Sequence, residues 1–266
     1  MNSPQNTERF RALHHTGDPL LLPNAWDFAS AAMLAEAGFP AVGTTSLGVA
    51  VARGLPDGAG VARTQTVETA RLLSRLPFLL TVDIEGGFGE RPDEVARLAA
   101  ELAAEGVVGV NIEDGRQGNR LADAAAQAEL IMAIKKVAPG LFVNARTDTY
   151  WLGITPEPEP TMERLRRYAD AGADGVFVPG AISAAGIAAI TEGIELPLNV
   201  LYRPEGPGLD ELSALGVRRV STGSLLFRAS LAAVVDTARK LRSGDALERD
   251  VPGYAEVASL TIDQGR

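Results

Sequence analysis

Two carboxylates stand at alternate positions directly after an apolar run, ahead of a glycine-rich segment. The stretch at 77–90 reads PFLLTVDIEGGFGE and contains Asp83, Glu85 and Gly86-Gly87. Such a run is typical of a strand buried on both faces, in which residues i and i+2 point the same way. We therefore expect Asp83 and Glu85 to share a direction, and paired oxygen ligands suit Mg²⁺ or Mn²⁺. The alternative is a turn that carries two solvated acids.

Composition limits the kinds of site that the chain can hold. The 266 residues are a normal length for one α/β barrel. The absence of cysteine excludes disulfides, thiolate metal ligands and a catalytic cysteine. The net charge of −9 argues against a nucleic-acid partner. No apolar run approaches the roughly 20 residues that span a bilayer, and the first 15 residues lack a signal-peptide core. We therefore expect a cytoplasmic protein without a membrane partner.

Strand-like and helix-like segments alternate along the chain. The expected strands cover 20–22, 39–42, 78–82, 107–112, 141–144, 174–178, 197–201 and 217–220. The expected helices cover 4–15, 25–37, 66–75, 92–105, 122–137, 162–171, 182–193, 209–215 and 225–241, with a loop at 47–62, a Pro-rich insert before 162 and a mixed tail at 245–266. Eight strand–helix units predict a parallel sheet closed as one (β/α)₈ barrel domain over 1–266, with a C-terminal helical extension. A doubly wound open sheet is the alternative.

Polar residues are concentrated where the expected strands end. They are Asn24, Thr45, Ser46, Asp83, Glu85, Glu113, Asn144, Arg146, Asn199 and Ser221. In a barrel these ends converge on one rim, which is where barrel enzymes carry their chemistry. The pattern therefore predicts one site on that rim. His14 and His15 belong to the N-terminal helix, so we expect them on the surface, away from the rim.

Six motifs in this order resemble the isocitrate lyase/phosphoenolpyruvate mutase superfamily along nearly the whole chain. They are Asn24-Ala25-Trp26-Asp27, Thr44-Thr45-Ser46 with Gly54-Leu55-Pro56-Asp57, Asp83-Ile84-Glu85-Gly86-Gly87-Phe88-Gly89, Val110-Asn111-Ile112-Glu113-Asp114-Gly115, Asn144-Ala145-Arg146-Thr147-Asp148 and Ala171-Gly172-Ala173-Asp174. The resemblance implies a (β/α)₈ barrel that binds Mg²⁺ and a 2-oxo acid or its enolate, and makes or breaks a C–C or P–C bond. It also implies homodimers or homotetramers in which the last helix packs on a neighbouring subunit.

The resemblance assigns the metal roles residue by residue. Asp83 matches the carboxylate that binds Mg²⁺ directly. Asp57, Glu85 and Glu113 match the acids that hold the metal's waters. The family usually has Asp where this chain has Glu85, and the added methylene is expected to shift a water or to bring the carboxylate onto the metal.

The resemblance also assigns the substrate-binding residues. Thr45-Ser46-Leu47 matches a segment that holds the substrate's carboxylate and oxo oxygen, and Arg146 matches the arginine at that end. A planar guanidinium binds a carboxylate through two hydrogen bonds. The alternative for Arg146 is an ion pair with Asp148 or Glu113. Further candidates for contact with the substrate are Trp26, Asp27 and Asn199.

The loop after Glu113 departs from the family. The segment 115–120 reads GRQGNR and lacks the Lys, Cys and His of the lyases' gating loop and the Lys of the mutases' longer loop, so Asn119 is the candidate to stand in. Pro179 occupies a position where the mutases have a histidine. We expect this loop to be a mobile lid whose Arg116 and Arg120 meet the distal carboxylate or phosphoryl group. The alternative is a solvated loop with its arginines paired to Glu90 or Asp123.

Three functions are open from the sequence. The leading hypothesis is a Mg²⁺-dependent lyase, oxaloacetate decarboxylase-like or methylisocitrate lyase-like, that cleaves a C–C bond of a small 2-oxo or 2-hydroxy acid through a pyruvate-type enolate. The alternatives are a phosphonomutase or phosphonopyruvate hydrolase, and a 2-oxo-acid binding protein with little catalysis. The helix at 225–241 carries more apolar residues than one face requires, which predicts contact with a partner subunit. Burial within its own subunit is the alternative.

Overall fold

The computed structural model describes residues 4–180, 182–247 and 251–261, and these form a ring of parallel strands inside a layer of helices. The strands are β1 (Leu20–Leu22), β2 (Asn24–Ala25), β3 (Ala41–Thr44), β4 (Leu79–Asp83), β5 (Gly109–Glu113), β6 (Gly115–Arg116), β7 (Arg120–Leu121), β8 (Phe142–Arg146), β9 (Gly175–Val178), β10 (Leu198–Leu201) and β11 (Arg219–Ser221). The helices are α1 (Pro4–Ala12), α2 (Phe28–Glu36), α3 (Ser46–Val51), α4 (Arg63–Leu73), α5 (Pro92–Ala104), α6 (Ala124–Val137), α7 (Thr149–Leu152), α8 (Pro158–Asp170), α9 (Ala184–Gly193), α10 (Leu209–Ala214), α11 (Leu225–Ser243) and α12 (Tyr254–Ala258).

The main sheet closes on itself through its first segment. Within the described residues, its strand order is β1-β11-β10-β9-β8-β5-β4-β3-β2, with parallel pairing. Pro23 separates β1 from β2, because proline has no N–H to give to a ladder. The Pro23 carbonyl still accepts a bond from Gly43 N–H at 2.9 Å, so one continuous segment joins both edges. The (β/α)₈ barrel expected from the sequence is confirmed, and the open doubly wound sheet is wrong.

Local signals explain where several helices begin. Asp123 caps α6 because its side chain accepts the backbone N–H groups of Ala125 and Ala126. Pro158 opens α8 in the first turn, where a helix does not need the missing N–H. The expected Pro-rich insert is therefore wrong in part, since its later prolines belong to a helix. The expected loop at 47–62 is also wrong at its start, because α3 occupies 46–51.

An aromatic plug closes the barrel at the amino ends of the strands. Phe10 of α1 is fully buried and meets Phe142 of β8 edge-on, with ring centroids 5.4 Å apart. His14 stacks on the same Phe142 ring at 4.4 Å, and its Nδ1 lies 2.8 Å from the Phe10 carbonyl oxygen. The expectation of a surface His14 is wrong, since only 2% of the residue is exposed. His15 is exposed, as expected.

The long helix α11 stands apart from this packing. Phe227 is its buried residue and contacts the Trp26 ring at a centroid distance of 5.1 Å. Leu231, Val234 and Leu241 farther along are 48%, 66% and 65% exposed. Burial of this helix within its own subunit is therefore wrong for the described chain. Across the same residues, no helix is both long and apolar enough to cross a membrane. Of the expected tail, 248–250 and 262–266 lie outside the described residues.

Candidate active site

A cavity of about 350 Å³ opens at the carboxyl ends of the strands. Its lining brings together residues from motifs that are far apart in sequence. Most of the expected site residues are among them: Thr45, Ser46, Leu47, Asp57, Asp83, Glu113, Arg116 and Arg146. Asn111, Asp148, Trp151, Phe177 and Ser221 also contribute to the wall. The barrel therefore gathers one polar site from nearly every strand end, in the position that the sequence predicts.

Arg146 is held between two carboxylates at this rim. Its Nε lies 2.6 Å from Asp148 Oδ1, and its Nη1 lies 2.8 Å from Glu113 Oε2. The guanidinium also lies over the Phe177 ring, 5.5 Å from the centroid. Burial alone would lower the pKa of Arg146, but the carboxylates of Glu113 and Asp148 raise it above its ordinary value. Arg146 thus makes the ion pairs that the sequence left as its alternative, and it still lines the cavity.

Asp83 is fixed at the end of β4 by its own backbone environment. Its N–H donates to Thr44 Oγ1 at 2.9 Å, and its Oδ1 accepts the Glu85 N–H at 3.1 Å. Burial raises the pKa of Asp83 above its ordinary value, and the charge of Arg146 partly opposes that shift. The same two causes act in the same order on Glu113, whose pKa is also raised. A further cation beside these two acids would therefore favour their charged forms.

Glu85 does not share the direction of Asp83, so that expectation is wrong. The strand ends at Asp83, and Glu85 has a φ of 50°, which turns the backbone out of the extended form. Its Oε2 accepts the Gly60 N–H at 3.0 Å, and burial raises its pKa to about 7. Its side chain lines a neighbouring cavity of about 710 Å³ rather than the one with Asp83. The alternation rule fails here because it holds only for extended backbone.

The charges of the rim cavity fit a divalent cation. Among the described residues, no three His, Cys, Asp or Glu side chains form a ready-made metal-ligand group. The described lining nevertheless holds four acids, Asp57, Asp83, Glu113 and Asp148, against two arginines. Asp57 is exposed, but the other three acids are buried or half-buried and still outnumber the two arginines when they ionise. Charges withdrawn from water in this way are costly without a counter-charge. This arrangement suits one directly bound carboxylate with others acting through water, which is common for Mg²⁺.

The expected substrate residues fall into two groups. Thr45, Ser46 and Leu47 line the cavity, where the absence of a side chain at Gly48 lets Trp26 pack against Thr45. Trp26 itself contacts Phe227 of α11 and lies outside the lining. Asp27 is exposed and caps α2 by accepting the Ser30 N–H at 2.8 Å. Three of the expected substrate residues therefore lie on the cavity wall, while Asp27 serves as a helix cap outside it.

The segment after Glu113 is a short hairpin. Strands β6 and β7 pair antiparallel, with Arg116 opposite Arg120. Arg116 Nη1 donates to the carbonyls of Glu113 and Gly115 at 2.8 Å each, and its Nη2 donates to Gln127 Oε1 at 2.9 Å. Polar contacts therefore hold the hairpin, whereas the sequence considered only its small apolar surface, and its closure as a lid stays a prediction.

The arginines of the hairpin do not make the ion pairs with Glu90 or Asp123 that the sequence left open. Arg116 lines both cavities, whereas Arg120 is exposed and reaches only the larger one. Asn119 is exposed in a left-handed conformation and lines neither cavity. The two arginines are therefore not equivalent, and Arg116 is the one placed near the rim cavity.

A polar layer inside the barrel was not expected from the sequence. Asn144 Nδ2 donates to Asn111 Oδ1 at 2.9 Å, and Ser221 Oγ donates to Asn199 Oδ1 at 3.1 Å. Arg219 joins both pairs, is completely buried, and donates to Ser221 and Asn111. Burial lowers its pKa to about 9. Asn144 and Asn199 therefore lie within the bore below the rim. The two-residue spacing of Arg219 and Ser221 on one strand could have revealed this arginine.

Comparisons with known proteins agree with this architecture. The family model described as phosphoenolpyruvate phosphomutase matches residues 10–242. An uncharacterised protein of Mycobacterium tuberculosis strain H37Rv is 44% identical over 254 residues, which cover 96% of each chain. The oxaloacetate decarboxylase of Pseudomonas fluorescens strain SBW25 is 31% identical over 250 residues, covering 88% of this chain and 83% of the relative.

A solved structure gives the same result at the level of the fold. A provisionally named phosphonomutase from Burkholderia cenocepacia J2315 superimposes with a TM-score of 0.84 and 37% sequence identity. The match covers 88% of this chain and 99% of that one. The similarity spans the barrel and the strand ends that carry the rim cavity.

Proposed function

The chain belongs to the phosphoenolpyruvate phosphomutase family, a group of lyases and mutases. On that basis we propose that the protein is a Mg²⁺-dependent lyase that cleaves a C–C bond of a small 2-oxo acid. The observation that carries this proposal is Arg146, clamped by Glu113 and Asp148 on the wall of the cavity that also holds Asp83. A cation and a set of ionisable acids at one end of a small cavity suit a 2-oxo carboxylate.

Arg146, Thr45 and Ser46 would orient the substrate's C1 carboxylate and oxo oxygen. A guanidinium fixed at Nε and Nη1 presents a defined plane, so the carboxylate binds in one orientation. Asp83 would hold Mg²⁺ directly, with Glu113 and Asp57 acting through its waters. When bound, Mg²⁺ supplies positive charge that stabilises an enolate oxygen. Glu85 lines the neighbouring cavity, which Glu113 also reaches, so Glu113 joins Glu85 to this set.

Decarboxylation of a four-carbon 2-oxo diacid matches these residues best. The C3–C4 bond breaks to release CO₂, its electron pair forms the pyruvate enolate, and a solvent proton then adds to C3. This step needs no general acid for the leaving group. The described lining of the rim cavity contains no Lys, His or Cys, in agreement with that requirement. The similarity to an oxaloacetate decarboxylase over 88% of the chain points the same way.

Cleavage of a P–C bond is the second candidate. It is favoured by the similarity to the provisionally named phosphonomutase and by Arg116 on the cavity wall. Arg116 already donates three hydrogen bonds to the protein, so a phosphoryl group would have to compete for its N–H groups. We therefore place this reaction behind decarboxylation.

The test is turnover of oxaloacetate, 2-methylisocitrate and phosphonopyruvate, each with Mg²⁺ and each with EDTA. The control is the Asp83→Ala variant at the same Mg²⁺ concentration, because free Mg²⁺ itself promotes loss of CO₂ from oxaloacetate. We expect oxaloacetate turnover that the wild type shows and the control lacks. Turnover of phosphonopyruvate alone would establish the second candidate. No turnover of any substrate, with oxalate binding retained, would establish a binding protein.

We also propose that the whole chain acts as one barrel whose helix α11 docks on a second copy. The exposed residues Leu231, Val234 and Leu241 follow one another at spacings of three and seven residues, which places them along one side of the helix. We expect light scattering to give a dimer or tetramer at micromolar concentration, and Val234→Glu to shift it toward the monomer. A monomeric wild type would contradict this proposal. The exposed substitution Glu163→Gln on α8 serves as the control.

A further inference from the structure

Asp114 is a fully buried carboxylate at the end of β5 that the proposed function does not use. Its Oδ2 accepts hydrogen bonds from Thr147 Oγ1 and Tyr168 OH, both at 2.7 Å, and from Arg164 Nη1 at 3.0 Å. Its Oδ1 accepts the backbone N–H of Asp148 at 2.8 Å. Four donors from two segments thus converge on one side chain, which is the arrangement that makes a buried carboxylate tolerable.

The backbone of Asp114 ties the hairpin to the barrel. Its N–H donates to the Arg146 carbonyl at 3.2 Å, and its carbonyl accepts the Ala122 N–H at 2.8 Å. Arg164 Nη1 also donates to the Ala122 carbonyl at 3.0 Å. Both ends of the hairpin, at residues 115 and 121, are therefore fastened beside the strand that carries Arg146.

A chain of direct contacts leads from Asp114 to the guanidinium of Arg146. Asp114 holds the Asp148 N–H, and Asp148 Oδ1 accepts the hydrogen bond from Arg146 Nε at 2.6 Å. A side chain at Gly115 would collide with Asp148 Oδ2, so the glycine lets the hairpin close on that carboxylate. Asp148 is therefore confined from two sides, and its position sets the plane of the guanidinium.

Tyr168 lies at the outer end of this chain of contacts. It lies on α8 and is fully buried, together with the Asp114 side chain that it contacts. Burial and the nearby charge of Asp114 raise the pKa of Tyr168 above its ordinary value, so the hydroxyl retains the proton that it donates. An outer helix thereby reaches the rim cavity through the side chains of Tyr168 and Asp114, then through the backbone N–H and the carboxylate of Asp148.

We propose that Asp114 is a positioning residue for substrate binding, which acts with Tyr168 and Thr147 to hold Asp148 against Arg146. The inference rests on the proposed role of Arg146 as the group that binds the substrate's carboxylate. Asp114 does not touch the substrate. It fixes the orientation of the guanidinium, and a misoriented guanidinium binds a carboxylate with one good hydrogen bond instead of two.

The experiment compares two variants of this chain of contacts with a matched control. Tyr168→Phe and Thr147→Val each remove one donor to Asp114 and keep the shape of the side chain. Thr161→Val removes a buried hydroxyl that lies 2.8 Å from Thr149 Oγ1, a hydrogen bond that also joins α8 to the segment after β8 but bypasses Asp114. Calorimetry measures oxalate binding in saturating Mg²⁺. Electron paramagnetic resonance measures the binding of Mn²⁺ alone, and thermal unfolding measures stability.

We expect Tyr168→Phe and Thr147→Val to weaken oxalate binding about tenfold, the low end of the effect of partners that orient metal ligands. The control should stay within about twofold for oxalate while losing a similar amount of stability. The dissociation constant of Mn²⁺ should change in none of the three variants, because Asp83 lies outside this chain of contacts. If Tyr168→Phe does not fold, Thr147→Val decides the result.

Two results would overturn the inference. One is oxalate binding that the control weakens as much as Tyr168→Phe and Thr147→Val do. The other is equal weakening of Mn²⁺ binding and oxalate binding, which would indicate a general loosening of the barrel. Arg146→Lys separates this inference from the proposed function. If Arg146→Lys leaves oxalate binding intact, the proposed function fails. If Arg146→Lys weakens oxalate binding but Tyr168→Phe and Thr147→Val do not, only the positioning role of Asp114 is wrong.

Discussion

The two ends of the barrel close the same bore in opposite ways. At the amino ends of the strands, Phe10, His14 and Phe142 form an aromatic plug that is almost fully buried. At the carboxyl ends, Asp83 and Glu113 crowd around Arg146 on the wall of an open cavity. The plug gains from removing apolar surface from water, whereas the rim places ionisable groups where burial disfavours their charge. Apolar packing and ionisable groups are thus concentrated at opposite ends of one set of strands.

The pKa shifts caused by burial differ between the two ends in the same way. Burial holds His14 neutral by lowering its pKa to about 3, with the charge of Arg219 acting in the same direction. Burial also favours the neutral form of Glu85, but for an acid this raises the pKa, to about 7. The same physical cause therefore gives the two ends opposite dependences on pH. We therefore expect that mutations can perturb the two ends separately.

The largest expected effect is on the plug. Phe10→Ala should lower the free energy of unfolding by about 3–5 kcal/mol, since it removes a fully buried ring and leaves a cavity beside Phe142. Oxalate binding in Mg²⁺ should be unchanged in the folded fraction, because the rim is at the other end of the strands. Urea unfolding and calorimetry check the two statements. A folded Phe10→Ala protein that binds oxalate much more weakly would show that the ends are coupled.

The next effect is the pH dependence of stability in the metal-free protein. The pKa of Glu85 is raised in the folded state. The contribution of Glu85 to the free energy of unfolding is therefore fully present below about pH 4.5 and is lost as the pH rises through about 7. The pKa of His14 is lowered in the folded state. The contribution of His14 to the free energy of unfolding is therefore fully present above about pH 6.5 and is lost as the pH falls toward about 3. Urea unfolding in EDTA, measured from about pH 3 to about pH 7, gives the sum of the two contributions to stability.

Two single variants separate these contributions. Glu85→Gln should remove part of the loss of stability between pH 4.5 and 7, because a neutral amide does not titrate. His14→Phe keeps a ring against Phe142 and should remove part of the loss below pH 6.5. If Glu85→Gln leaves the loss of stability at higher pH unchanged, the assignment of that loss to Glu85 is wrong. The same holds for His14→Phe and the loss of stability at low pH.

The sequence predicted the rim better than the plug, and the reason is physical. Buried parallel strands and glycine-rich ends are local signals, so the barrel and the positions of Thr45, Asp83 and Arg146 could be read from them. The burial of His14 depends on Phe142, which is more than a hundred residues away, and no local pattern encodes that contact. Arg218 and Arg219 are neighbours in sequence, yet Arg218 is partly exposed and Arg219 is completely buried.

Two features of the rim depend on backbone conformation and on tertiary hydrogen bonds, neither of which the sequence reveals. Glu85 was expected beside Asp83 because the strand was taken to continue, but its positive φ ends the alternation. The segment after Glu113 was expected to be mobile because it is polar. Its arginine, however, bonds to backbone carbonyls, and Asp114 fastens both of its ends. Hydrogen bonds of this kind depend on the tertiary fold, and composition does not reveal them.

The smallest expected effect concerns the hairpin arginines. Arg116 lines the rim cavity and Arg120 does not, so Arg116→Ala should raise the KM for oxaloacetate about fivefold, or about 1 kcal/mol. Arg120→Ala should stay within about twofold. Oxalate binding should change in neither variant, since we expect oxalate to occupy only the end near Arg146. Steady-state kinetics and calorimetry measure these values. Equal effects of the two variants on KM would contradict the distinction between the two arginines.

The central claim is that Asp83 anchors Mg²⁺ at a rim that binds 2-oxo acids. The most direct measurement is calorimetric titration of oxalate into the wild type, Asp83→Ala and Asp93→Ala, each with Mg²⁺ and with EDTA. Asp93 is an exposed carboxylate on α5 and serves as the matched control. We predict Mg²⁺-dependent oxalate binding in the wild type and Asp93→Ala, and none in a folded Asp83→Ala protein. Undiminished Mg²⁺-dependent binding in Asp83→Ala would contradict the account.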